Sequence, residues 1–117
     1  MGNNKKIGEY GENIACDYLL NHEFEIIYKN YFSRFGEIDI IAIDIENQDI
    51  VFIEVKTRKN FLCGRPLEFV NLSKRNKIKK TALDFIEKKN LLDKNFRFDI
   101  IEVSGKKIWH IKNAFDF

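Results

Sequence analysis

Gly36-Glu37-Ile38-Asp39-Ile40-Ile41-Ala42-Ile43, the connector Asp44-Ile45-Glu46-Asn47-Gln48-Asp49, and Ile50-Val51-Phe52-Ile53-Glu54-Val55-Lys56-Thr57-Arg58 decide how this chain folds. Two apolar β-type runs, 38–43 and 50–55, flank a short, mostly polar connector, which is the pattern of a β-hairpin. Folding symmetrically about the connector makes paired positions sum to about 93. Ile43 then faces Ile50, Ile41 faces Phe52, Asp39 faces Glu54 and Glu37 faces Lys56. Like charges directly opposite on one sheet face destabilise it, so an Asp39–Glu54 pair requires a compensating cation. Side-chain alternation sends Glu54 and Lys56 to one face and Ile53 and Val55 to the other. One face therefore carries two acids and an ammonium, and the other packs into a core. Hard oxygen donors in such an arrangement suit Mg²⁺ or Mn²⁺ rather than a thiophilic metal. A lone Glu-x-Lys on a strand is ordinarily a solvated surface feature; the Gly-Glu-Ile-Asp upstream, at near-symmetric spacing, makes a site an equal contender.

The 117 residues form one domain, 1–117, large enough for a single core of helices on a sheet, with 11 Phe supplying large core side chains. A net charge of +2 does not announce a nucleic-acid binder. Cys16 and Cys63 form no CxxC pattern, and a zinc site would need both to converge with His22 and His110, so free thiols in a reducing cytosol are expected. The first residues contain no apolar signal-peptide core, and no run reaches membrane-spanning length. The expectation is a soluble cytoplasmic protein without a membrane partner.

Upstream, Ile7, Ile14, Ala15, Tyr18 and Leu19 fall at helical spacing over residues 5–22, with Gly11 on the same side and Glu12 at the margin of the apolar face. Gly8 and Gly11 each weaken a helix by roughly 1 kcal/mol relative to Ala and hint at close backbone approach. Residues 24–31 read as a strand leading through Ser33-Arg34-Phe35-Gly36 into the hairpin, an antiparallel meander. Gly64 and Pro66 mark a loop after Arg58. Ser73 is the expected N-cap of a second helix reaching Lys89, with Ile78, Ala82, Phe85 and Ile86 as its apolar stripe. Its start is crowded with Lys74, Arg75, Lys77, Lys79 and Lys80. Such a cluster is either a solvated face or a phosphate-contacting patch, since Lys and Arg contacts to phosphates supply most sequence-independent affinity. Strands over 96–103 and 107–111, joined at Ser104-Gly105, close the chain. Asp99, between Phe98 and Ile100, is an unusual place for a carboxylate.

Gly11-Glu12 with Ala15 and Tyr18-Leu19, then Asn30-Tyr31, Gly36-Glu37-Ile38-Asp39, Phe52-Ile53-Glu54-Val55-Lys56-Thr57-Arg58, Gly64 and Arg97-Phe98-Asp99, taken in this order, resemble the bacterial YraN family. Those proteins are assigned by similarity to the PD-(D/E)xK nuclease superfamily, near the archaeal Holliday-junction resolvases. The resemblance runs from about Gly8 to Asp99, and its Gly-Glu-Ile-Asp and Glu-Val-Lys-Thr-Arg blocks are specific signals. It implies an α/β fold with a restriction endonuclease-like core: a mixed β-sheet, containing the antiparallel meander, flanked by two helices. In that superfamily a metal-binding Asp precedes the Glu-x-Lys, and Asp39, Glu54 and Lys56 take those places as catalytic residues. No Pro precedes Asp39, as is also true of many superfamily members.

The resemblance further implies Mg²⁺ or Mn²⁺ held by Asp39, Glu54, the Val55 backbone carbonyl and Glu12. Lys56 would orient the attacking water, and Arg58, Lys74, Arg75 and Lys77 would position a nucleic-acid backbone. The expected function is metal-dependent endonucleolytic hydrolysis of nucleic-acid phosphodiesters, DNA before RNA, selected by strand shape or branching rather than by base readout. A homodimer is expected by analogy with resolvases, which make two symmetric cuts. The alternative is a non-catalytic nucleic-acid-binding module that keeps the nuclease fold; a purely structural domain with a charged hairpin face is a third, weaker reading.

Overall fold

The computed structural model describes residues 2–58 and 71–116. Helix α1 (Gly2–Asn21) leads into strands β1 (Phe24–Ser33), β2 (Gly36–Asp44) and β3 (Asp49–Thr57); helix α2 (Leu72–Lys88) precedes β4 (Phe96–Ser104) and β5 (Lys107–Phe115). The five strands lie in one sheet in chain order. β1, β2 and β3 form the expected antiparallel meander, while α2 carries the chain over the sheet so that β4 runs parallel to β3. β5 returns antiparallel to β4. The α/β fold class, a mixed sheet with an antiparallel meander and two flanking helices, is thus observed. The loop expected around Gly64 and Pro66 lies outside the described residues.

The hairpin register is the one that symmetry about the connector requires: Ile43 pairs with Ile50, Ile41 with Phe52 and Ile40 with Ile53. There the ladder stops, so the expected Asp39–Glu54 and Glu37–Lys56 rungs do not form. In their place the Asp39 carboxylate takes the strand amide, with Val55 N donating to Asp39 Oδ2 at 2.7 Å.

The expectation of one charged and one buried hairpin face is also corrected, because both faces of the sheet are covered. On one, Ile78, Ala82, Phe85 and Ile86 of α2 bury Ile41, Ile50, Phe52, Phe98 and Ile100. On the other, Ala15, Cys16 and Leu19 of α1 bury Ile40, Ala42, Val51, Ile53, Ile101 and Val103. A central strand covered on both sides reads as a continuous apolar run, as β3 does from Ile50 to Ile53, so its charged residues collect at its end.

Two local departures from regular geometry position that end. Ile40 packs on the α1 side, but Ile38, which strand alternation would put with it, packs on the α2 side. β2 therefore turns over at Asp39. Opposite, between the Lys29–Ile40 and Tyr31–Ile38 rungs, Asn30 has φ 53°, a left-handed conformation that Asn tolerates better than most residues. Gly11 is buried against β3, and a β-carbon there would run into Thr57 Oγ1. Glycine thus lets α1 sit close enough to the end of β3 to bring Glu12 beside the turned-over segment.

The cap of α2 lies two residues earlier than expected. Asn71, not Ser73, is the N-cap, its Oδ1 accepting from Lys74 N at 2.9 Å. Asn and Ser cap about equally well, and Ser73 lies within the first turn that Asn71 caps. Among the described residues, no helix is long and apolar enough to cross a membrane.

Candidate active site

Asp39 and Glu54 meet where β2 turns over and β3 ends. Their carboxyl groups hydrogen-bond each other, and Asp39 also receives the Val55 amide proton. Glu54 is buried, 8% exposed, although it is a charged residue near a strand end. Burial, the hydrogen bond to Glu54 and the charge of Glu54 push Asp39 up to about 8; the Val55 N–H and Lys74 pull against that rise. Two carboxylates within hydrogen-bond reach cannot both ionise cheaply, so the pair retains a proton near neutrality.

The compensating cation expected from Lys56 comes instead from Lys74. Capping by Asn71 points the first turn of α2 at the sheet end, and Lys74 Nζ lies 3.5 Å from Glu54 Oε2. Lys56 lies two residues beyond Glu54 on β3, half-buried and opposite Glu102 of β4.

Glu12 and Glu37 form an outer acidic layer joined by Asn30. With its amide nitrogen turned to both carboxylates, Asn30 donates to Glu37 Oε1 at 3.0 Å and Glu12 Oε1 at 3.1 Å. Glu12 is held above the ordinary carboxylate range by burial and by the charge of Asp39. Burial and Asp39 raise Glu37 in the same way, with Lys74 opposing. Four acids thus press on one small region.

The remaining candidates are dispersed. Arg58 turns to β4, with Nε 3.4 Å from Oε1 of the fully buried Glu102, a distance that serves an ion pair although neither Glu102 oxygen makes a hydrogen bond among the described residues. Arg75 lies over the Phe115 ring, 5.8 Å from its centroid. Lys77 is exposed one turn beyond Lys74.

Three participants were missed by sequence reasoning. Asn30 was legible only as part of an Asn-Tyr motif, since a left-handed residue inside a strand leaves little trace in apolar periodicity. Glu37 was seen as part of a motif but not as part of the site. Glu102 sits beside Lys56 across the parallel β3–β4 rungs, a neighbour that chain order does not reveal.

The donor set fits a hard divalent cation. Asp39 and Glu54 offer oxygen donors only, and their shared proton marks a place where positive charge is wanted. Among the described residues, no third Asp, Glu, His or Cys stands at ligating range of the pair. Two carboxylates, with water and substrate phosphate completing the shell, is a usual protein contribution to Mg²⁺.

The family model described as Uncharacterised protein family UPF0102 matches residues 11–103. A UPF0102 protein of Clostridium botulinum (strain Alaska E43 / Type E3) is 48% identical over 118 residues, covering 96% of this chain and 95% of its own. One from Clostridioides difficile (strain 630) is 48% identical over 115 residues, covering 97% and 99%. Among solved structures, a repair endonuclease from Pyrococcus abyssi aligns with 75% of this chain and 33% of its own, at 22% identity and a TM-score of 0.45.

Proposed function

This chain belongs to the UPF0102 (YraN) family, and on the geometry of its carboxylate site we propose that it is a metal-dependent endonuclease hydrolysing nucleic-acid phosphodiesters. The observation that carries the proposal is the half-buried Asp39 hydrogen-bonded to the buried Glu54, with Lys74 Nζ 3.5 Å from Glu54 Oε2. Burying two adjacent acids costs stability, and strong perturbation of this kind concentrates at functional sites.

Asp39 and Glu54 would hold Mg²⁺ or Mn²⁺, with the Val55 carbonyl and Glu12 as further donors once phosphate and cation arrive. The cation, when bound, lowers the pKa of water and neutralises charge on the phosphoryl oxygens. Lys56 orients the attacking water, and its ammonium offsets charge developing on the phosphate. Pre-placed charges of this kind usually supply the largest catalytic contribution. Lys74, exposed at the edge of the pair and 3.5 Å from Glu54 Oε2, would contact the substrate backbone. Lys77, one turn on, extends the same contact. Asn30 holds the Glu12 and Glu37 carboxylates beside the pair.

A binding module without turnover is the second reading, favoured by one observation: Lys74 already neutralises Glu54 without any cation. Incubating labelled four-way junction and linear duplex with the protein in Mg²⁺ or Mn²⁺ separates the two. The nuclease reading expects cleavage that Asp39→Ala and Lys56→Ala each reduce at least about 100-fold while the fold is retained. Salt-sensitive binding that neither Mg²⁺ nor Asp39→Ala alters, with no cleavage, would replace it with the binding module.

A further inference from the structure

The turn between β1 and β2 holds an aromatic ring among cations, along the same helix that delivers Lys74 to the carboxylates. Arg34 Cζ lies 4.8 Å from the Phe35 ring centroid and Lys80 Nζ lies 5.8 Å from it. Phe35 is only half-buried, although its ring is large and apolar. Its backbone is anchored: Phe35 N donates to Ser33 Oγ at 3.0 Å, and Ser33 Oγ stands 3.0 Å from Thr81 Oγ1 on α2. The ring is therefore presented by a turn fixed at two points. A cavity of about 560 Å³ opens beside it, bordered by Arg34, Phe35, Lys80 and Leu83. Asp84, Glu87 and Lys88 also line it; Asp84 is already engaged by the Tyr31 hydroxyl at 2.6 Å and Lys88 Nζ at 3.2 Å, which leaves Arg34 and Lys80 against Glu87.

We infer that Phe35, with Arg34 and Lys80, is a stacking platform for an unpaired base of a nucleic-acid strand whose phosphates run along Lys77 to the Asp39–Glu54 pair. The inference rests on the nucleic-acid reading of that pair and specifies its substrate as a strand unpaired near the cut. Lys74, Lys77 and Lys80 recur every three residues, so each neighbours the next and the three wind over about a third of the circumference of α2, from the Glu54 carboxylate to the Phe35 ring. At a rise of about 1.5 Å per residue, Lys80 lies roughly 9 Å along the helix from Lys74. A stacked strand covers that distance in about three nucleotides, at roughly 3.4 Å each. Unpaired bases stack on aromatic rings and on arginine planes, whereas a paired base in a duplex has no free face to offer. The Phe35 ring and the Arg34 guanidinium supply both kinds of surface, and Lys80 supplies a phosphate partner.

The test is anisotropy titration in EDTA of two dye-labelled probes, a twelve-nucleotide oligothymidylate and a blunt duplex of two separate strands. Phe35→Ala is expected to weaken oligothymidylate binding about 5- to 100-fold and leave the duplex unchanged, with Phe35→Tyr close to wild type. Equal affinity of Phe35→Ala and wild type for oligothymidylate would overturn the platform. So would a loss of the same factor on both probes. If Phe35→Ala does not fold, a bromodeoxyuridine-substituted oligonucleotide is photocrosslinked to the wild type: a crosslink within residues 34–36 supports the platform, and crosslinks confined elsewhere overturn it. Binding of neither probe by wild type, in EDTA and again with Ca²⁺ in its place, overturns the nucleic-acid reading itself, which separates the two failures.

Discussion

At Asp39 the backbone and the chemistry make opposing demands. The ladder ends there, so the carboxylate replaces a missing strand acceptor for Val55 N. The same carboxylate lies against Glu54, where burial and the neighbouring acid raise it to about 8 from 3.8. Without a divalent cation the folded chain therefore holds a proton that the unfolded chain has released between about pH 4 and 8. Stability from this group is complete below about pH 4 and is lost as pH rises towards 8. Asp39→Asn removes that slope. Thermal unfolding in EDTA across pH 4–9 is expected to show wild type losing ground to Asp39→Asn as pH rises, and two parallel curves would contradict the assignment. That Asp39 and Glu54 meet was legible in their residue types and spacing about the connector. Lys74 was legible as a base but not as the partner of Glu54, because that contact depends on where α2 lands on the sheet.

The elements were largely readable because their signals are local. Helical spacing marked both helices, alternating and continuous apolar runs marked the strands, and the hairpin register followed from the length of its connector. What periodicity could not carry was the turning over of β2 at Asp39, since a left-handed Asn30 shifts faces without changing composition. Nor could it reveal that β4 runs parallel to β3, because that depends on the path of α2. Gly11 is the position where an element's seating meets the site. Its missing β-carbon makes room for Thr57, and its neighbour Glu12 reaches Asn30. Gly11→Ala adds helix propensity but forces α1 off β3, and overpacking of this kind costs about 1–3 kcal/mol. Thermal unfolding is expected to show a clear net loss for Gly11→Ala. Gly8→Ala, with nothing within 4 Å of an added β-carbon, is expected to be neutral or stabilising.

Across the whole molecule, charge is buried in two different ways. Around the far end of the β2–β3 hairpin, Arg97 donates to Asp99 at 3.0 Å and to Asp44 at 2.8 Å, and Asp99 also accepts from Asn113 N at 2.9 Å. His110 Nε2 lies 2.7 Å from Asp99, and Nδ1 of the same ring lies 3.0 Å from the Tyr18 hydroxyl on α1. Burial alone would raise Asp99, but the hydrogen bonds from His110, Arg97 and Asn113 hold it below its ordinary value. This network is satisfied and ties α1 to β4 and β5, which explains a carboxylate between Phe98 and Ile100. Its stabilisation is present above the ordinary Asp value and is lost as pH falls through the lowered one. Asp99→Asn is expected to be clearly destabilising in denaturant unfolding at pH 7, since Arg97 would keep only Asp44 and Asp49 while His110 and the Asn113 amide would lose a charged acceptor. The Asp39–Glu54 end is the reverse case, with acids in excess of cations and one of them kept protonated. One cluster is thus satisfied and the other short of positive charge, and the second is where the proposed cation would bind.

Calorimetric titration of Mg²⁺ and Mn²⁺ into wild type and Asp39→Asn near pH 7, in two buffers of different ionisation enthalpy, tests that claim most directly. The account predicts saturable binding to wild type with proton release, and loss of both in Asp39→Asn. Absence of saturable binding at millimolar metal with nucleic acid present, or equal binding by the variant, would contradict it.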